Sequence, residues 1–206
     1  MNSLSTPNDV KGQRAGGMGT ILRMSFGLFI LCGLIYPLVM TGISQLILPK
    51  QSDGSMIYDA AGKAIGSSLI GQRFTEPQYF HGRVSSIDYN ANGAGSPNYA
   101  PSNPALAERL QQSIEAWKQN NSASAFPVPP ADLLTNSGSG LDPDISPKAA
   151  EAQIPRVAQA SGLSEEQLKV LVKKHTQSPD LGLFGEARVN VLLLNLDIQK
   201  AMNKNS

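Results

Sequence analysis

The sequence predicts an α+β protein in which a single N-terminal transmembrane helix is followed by one extracytoplasmic domain of short strands and several helices. Three observations carry this expectation. Met24–Leu48 is a run of twenty-five residues without a charged side chain. Residues 49–206 are enough for one domain of ordinary size. Within them, short strand-like stretches precede segments whose apolar residues recur at helical spacing.

A helix rising ~1.5 Å per residue makes Met24–Leu48 roughly 37 Å long, enough to cross a hydrocarbon core of about 30 Å. Lys11, Arg14 and Arg23 stand before it against the single acid Asp9. This bias places the N-terminus in the cytoplasm. The expected organisation is a disordered cytoplasmic tail over 1–23, a transmembrane helix over 24–48 and an extracytoplasmic α+β domain over 49–206. A cleaved signal peptide fits less well, because its apolar stretch runs ~7–15 residues before a small-residue cleavage site. Here Leu46-Ile47-Leu48 continues the apolar character past Gly42-Ile43-Ser44. Cys32 follows the bulky Leu31, which argues against lipidation.

Within the anchor, Pro37 lacks the amide hydrogen that would bond the Gly33 carbonyl, which predicts a soft point. The Tyr36 hydroxyl needs a partner in lipid as well. Gly33, Pro37, Met40 and Ser44 fall within a narrow arc at helical spacing, and with Tyr36 they form a candidate seam for a partner helix. Gly and Pro are also common in spanning helices that pack against nothing in particular. One helix cannot enclose a transport pathway in either case.

Beyond Arg23 the chain carries 14 Lys/Arg against 15 Asp/Glu, the totals of 17 and 16 less three bases and one acid. That balance gives no reason to expect nucleic acid as a partner. The only cysteine lies in the anchor, so the domain is held by its core and not by disulfides. His81 and His175 are far apart in the chain with no cysteine beside them, which argues against a zinc site.

The elements then follow in order. Residues 1–18 have no apolar period, and 49–55 form a turn-rich exit. Met56-Ile57-Tyr58 and Ala64-Ile65 read as two strands around a turn containing Gly62, and Ser68–Gln72 as a further extended segment. Phe74–Asn103 shows little periodicity. A loop that long inside a compact domain is functional or disordered, and Tyr79, Phe80, Tyr89 and Tyr99 favour order. Packing onto a partner fits both. Asn103-Pro104 caps a helix carrying Leu106, Leu110, Ile114 and Trp117 on one face. Phe126–Leu134 is proline-rich and predicted extended. Ser146-Pro147 opens a second helix, which Pro155 is expected to kink or interrupt and Gly162 to end. Ser164–Gln167 is a capping-box pattern opening a third, ending at Lys173-Lys174-His175. Val189–Ile198 is apolar nearly all round and is predicted as a buried helix.

Few residues are arranged for chemistry. Thr135–Asp144 is rich in small residues, yet it lacks the lysine of a phosphate loop and the ligand ladder of a calcium hand. Turn stabilisation by Asp142 or Ser146 explains it. Ser139, His175 or His81, and Asp142 compose a hydrolase triad only on paper, since the Gly-x-Ser-x-Gly elbow is missing. His175 reads as a helix cap, and Glu186 with Arg188 as a structural or interface pair. No catalytic residue, no metal ligand and no cofactor-binding residue is assigned.

Several blocks nonetheless form a pattern together. They are Gly33-Leu34-Ile35-Tyr36-Pro37-Leu38-Val39 with Thr41-Gly42, Gly66–Gln72 with Phe74, and Tyr79-Phe80-His81-Gly82-Arg83. Pro101–Leu106, the SGSGLDPDISPKAA stretch from Ser137, Gln153–Ala158, His175-Thr176 and GEARVNVLLLNL from Gly185 complete the set. In this order they resemble the C subunit of the Kdp-type potassium-transporting P-type ATPase, over nearly all of residues 31–198. Val84 stands where that family usually has proline, and the Gly93–Asn98 loop differs slightly. The resemblance implies a non-catalytic accessory subunit of an ATP-driven, high-affinity potassium uptake pump in the bacterial inner membrane, single-pass with a periplasmic domain. Its implied partners are a potassium-conducting polytopic subunit and an ATP-hydrolysing P-type subunit. The chain itself has neither the Asp-Lys-Thr-Gly phosphorylation motif nor a Thr-Val-Gly-Tyr-Gly filter. The resemblance implies no cofactor of its own, with ATP met only through a complex shared with the hydrolysing subunit. The family role is proposed to be a catalytic chaperone that raises ATP affinity, or assembly and stabilisation by docking at the outer mouth of the conducting subunit. A membrane-anchored periplasmic binding module acting alone is the alternative.

Overall fold

The computed structural model describes residues 17–205, so most of the expected tail over 1–23 lies outside the described residues. The chain divides into two compact units, Met1–Asp53 and Gly54–Ser206.

The first unit is one continuous helix over Met18–Ile47, long and apolar enough to cross a membrane, followed by the short α3 (Pro49–Ser52). None of its side chains is buried, as expected of a helix whose solvent is lipid. It begins at Met18, ahead of the uncharged run. The soft point expected at Pro37 takes a definite form. Between α1 (Met18–Ile30) and α2 (Tyr36–Ile47) the helix widens into a π-turn over Leu31–Ile35, and the Tyr36 amide donates to the Leu31 carbonyl. A widened turn accommodates the proline ring and its missing donor without breaking the helix.

The second unit is built from two small sheets and five helices. β1 (Met56–Tyr58) and β2 (Ala64–Ser67) pair antiparallel. Their turn is set by Asp59, whose Oδ1 accepts from the Ala61 and Lys63 amides at 2.9 Å each. α4 (Pro104–Asn120) starts where Asn103 accepts from the Ala105 amide. The proline-rich stretch after it departs from expectation, because Ala131–Leu134 closes one helical turn, α5. Its Asp132 carboxylate accepts from the Ser146 amide at 2.7 Å, so the turn holds the start of the next helix.

β3 (Asp144–Ile145) leads into α6 (Pro147–Ser161), capped by Ser146 and ended by Gly162 at φ +74°. Pro155 does not interrupt α6. Buried Ile154, Arg156 and Val157 surround it, and their packing outweighs the lost backbone bond. α7 (Glu165–His175) begins with the expected capping box between Ser164 and Gln167. β4 (Thr176–Gln177), β5 (Arg188–Asn190) and α8 (Val191–Asn205) complete the unit, with β5 central in the order β3-β5-β4.

The apolar run predicted as one helix is therefore split. Val189 and Asn190 are strand, and α8 starts at Val191. Asn190 makes the switch: its side chain accepts from the Leu193 amide at 3.1 Å, and the Val191 amide donates to Pro143. The core joins Phe80, Ile145, Ile154, Val157, Leu168, Val189, Leu194 and Ile198, all nearly or wholly inaccessible.

Candidate functional site: a clamped loop and an open cleft

The long segment after β2 is ordered, and side chains from α6 and α8 hold it. Asn195, in α8, accepts from the Phe80 amide at 2.8 Å and donates to the Phe80 carbonyl at 2.9 Å. Gln153, in α6, does the same to His81, at 2.8 and 3.1 Å. Each amide side chain thus mimics a strand partner for one loop residue, leaving its backbone satisfied although buried. Arg156 finishes the clamp. It donates to the Pro77 carbonyl at 2.6 Å, the Tyr79 carbonyl at 3.0 Å, Asn121 Oδ1 at 2.9 Å and Gln153 Oε1 at 2.7 Å. Burial lowers its pKa only to about 10, so it stays charged at neutral pH.

His81 lies in this clamp. Burial, with the Arg156 guanidinium beside it, pushes the imidazole down to about 4. Between pH 6.5 and 4 the unfolded chain therefore binds the proton and the folded one does not. Stability is expected to fall by about 3 kcal/mol across that window as the pH drops, and to stop falling through this group below it. Denaturant midpoints from pH 7.5 to 4.5 measure the slope, and His81→Gln should flatten it.

The residues weighed for catalysis are not brought together. Ser139 receives the Leu141 amide at 3.1 Å and sits near Ser137, while Asp142 receives Arg83 at 2.8 Å and caps the Asp144 amide at 3.0 Å. Turn stabilisation is thus the visible role of Asp142, and that of Ser146 is to cap α6 through the Ala149 amide. His175 does more than cap a helix: its Nε2 lies 2.9 Å from Asp197. Burial opposes charge on Asp197, but hydrogen bonds from Lys174, His175 and Lys200 prevail and hold its carboxyl well below the usual range. Arg188 pairs with Asp144 at 3.6 Å and Asp180 at 3.9 Å, not with Glu186 as the sequence suggested. Among the described residues, no group of three or more His, Cys, Asp or Glu could hold a metal ion.

The clamped segment forms one wall of a cleft of about 790 Å³, opposite the β1–β2 hairpin and α8. Ile57, Ile65, Phe74, Tyr79, Leu192 and Leu196 supply its apolar lining, and Asp59, Arg73, Glu76 and Lys200 its charged edge. Such a lining suits binding. Just before the lining residue Gln72, the chain needs a glycine: a Cβ on Gly71 would lie 2.4 Å from the Asp142 carbonyl oxygen. Neither the clamp nor the cleft was assigned from sequence. One signal was present, Asn195 standing alone among the leucines of Val191–Leu196, where a buried amide must find partners.

On the helix of the first unit, Gly33, Tyr36, Pro37 and Met40 are exposed and Ser44 partly so. Gly33 lies inside the π-turn. Residues there rotate less per step than in an α-helix, so the arc expected from α-helical spacing is shifted within the turn. The Tyr36 hydroxyl has no partner among the described residues.

A family model described as K+-transporting ATPase, c chain, matches residues 18–200, taking in the helix and nearly all of the domain. The chain belongs to the KdpC family. It is similar to the potassium-transporting ATPase KdpC subunits of Bacillus mycoides (strain KBAB4), Bacillus cereus (strain AH820) and Bacillus anthracis. With each it is 54% identical over 185 residues, which cover 90% of this chain and 96% of the relative. The KdpC match thus spans both the candidate seam and the clamped loop.

Proposed function

We propose that this chain is the non-catalytic accessory subunit of an ATP-driven, high-affinity potassium uptake pump of the bacterial inner (plasma) membrane, and that it acts by docking. The observation that carries this reading is family membership across helix and domain together. The spanning helix packs through Gly33, Tyr36, Pro37, Met40 and Ser44 against a helix of the pump. The domain, on the periplasmic side, offers its cleft to the outer surface of the potassium-conducting polytopic subunit. Basic residues before the helix support a cytoplasmic N-terminus.

In this topology the domain cannot meet cytoplasmic ATP. Any gain in ATP affinity of the hydrolysing P-type subunit, the catalytic-chaperone role, then passes through helix contacts and stabilisation of the assembled pump. A reporter enzyme fused after Leu196 is expected to be active only outside the cytoplasm. Activity confined to the cytoplasm would overturn the docking mechanism.

A further inference from the structure

The turn between β4 and β5 carries the two most exposed large apolar side chains among the domain's described residues, Leu181 and Leu183, with Phe184 beside them. Leu181 is 89% exposed, Leu183 82% and Phe184 64%. The amides of Gly182, Leu183 and Phe184 are nevertheless paired within the turn, and that of Leu181 is open. The Asp180 amide donates to Phe184 at 2.8 Å, Gly182 to Pro179 at 3.0 Å, and Leu183 and Phe184 to Asp180 at 3.1 and 3.0 Å. Leu181 and Gly182 both hold positive φ to make this tip.

We propose that the Leu181–Phe184 tip inserts into the interfacial layer of the lipid bilayer, a second attachment besides the spanning helix. The inference rests on the chain being membrane-anchored. Three paired amides of the four favour lipid over a strand-adding protein, which would need them open, and the Leu181 amide is left to the water and headgroups of the interfacial layer. Insertion of three side chains is weak by itself. Only Leu48–Asp53 separate the spanning helix from the domain, however, and six residues reach at most about 20 Å. A tether this short makes insertion effectively intramolecular. Around the tip stand Asp180, Glu186 and Arg188, with no excess of positive charge. Apolar burial therefore drives insertion, without a requirement for anionic lipid.

The test uses the full chain with Cys32→Ala and Leu183→Cys, labelled with an environment-sensitive fluorophore and reconstituted alone in phosphatidylcholine vesicles. Lys118→Cys serves as the control on exposed α4. The label at 183 is expected to shift to the blue and lose emission when the acyl chains are brominated, while the label at 118 does neither. A chain that floats with the vesicles but keeps an unshifted, unquenched label at 183 overturns the proposal and leaves the anchor intact. Shielding of that label only after the other pump subunits are added also overturns it, in favour of a protein contact. Failure to float removes the anchor reading itself.

Discussion

Arg156→Leu is expected to destabilise the domain by ~3–5 kcal/mol, because it strips a charged donor from four acceptors, and a buried acceptor left unmade costs about 1–3 kcal/mol. Arg156 is 7% exposed, and its guanidinium is shared between α6, Asn121 after α4, and the loop carbonyls of Pro77 and Tyr79. Water cannot readily replace it there. Against a total stability of about 5–15 kcal/mol, the loss is a large fraction. Denaturant unfolding of the full chain in detergent, followed by Trp117 fluorescence, reads it directly. Arg156→Lys should recover only part, since a single ammonium cannot reproduce the planar fork. A change below about 1 kcal/mol for Arg156→Leu would mean that the clamp does not hold the loop.

Gly33→Leu is expected to lower the yield of the assembled pump about tenfold, the equivalent of the ~1–2 kcal/mol that a helix–helix contact contributes in a membrane. The effect cannot come from the chain's own helix. A Cβ at Gly33 would meet only the Phe29 ring, at 3.8 Å, an ordinary contact, and leucine is the better helix former. Gly42→Leu is the control, because Gly42 is also open and lies towards the opposite face. Detergent extraction followed by size-exclusion chromatography compares the two. Equal yields for wild type and Gly33→Leu would remove the seam.

Much of the fold was legible because its signals are local. The apolar run, the Asn103, Ser146 and Ser164 caps, the Gly162 stop and the β1–β2 turn each depend on residues within a few positions of one another. The division between β5 and α8 was not legible, because Val189 is drawn into a strand by pairing with Ile145 and Thr176, residues distant in the chain. α5 was hidden by the prolines that precede it, and the run of α6 through Pro155 by a rule that holds for helices without tertiary support. The clamp belongs to the same class. Asn195 meets Phe80 and Gln153 meets His81 only after α6 and α8 have packed. The seam residues could be named from spacing alone, but not the π-turn that reorients them.

A chain that works as a docked subunit should bring its neighbours with it when it is purified. The tagged chain is drawn from membranes in mild detergent, and the co-purifying proteins are identified and assayed for potassium-stimulated ATP hydrolysis. A P-type ATPase and a large polytopic subunit should co-purify, with the activity lost when this chain is omitted from expression. Recovery of the chain alone, under conditions that keep other membrane complexes together, would contradict docking and favour an anchored module acting by itself.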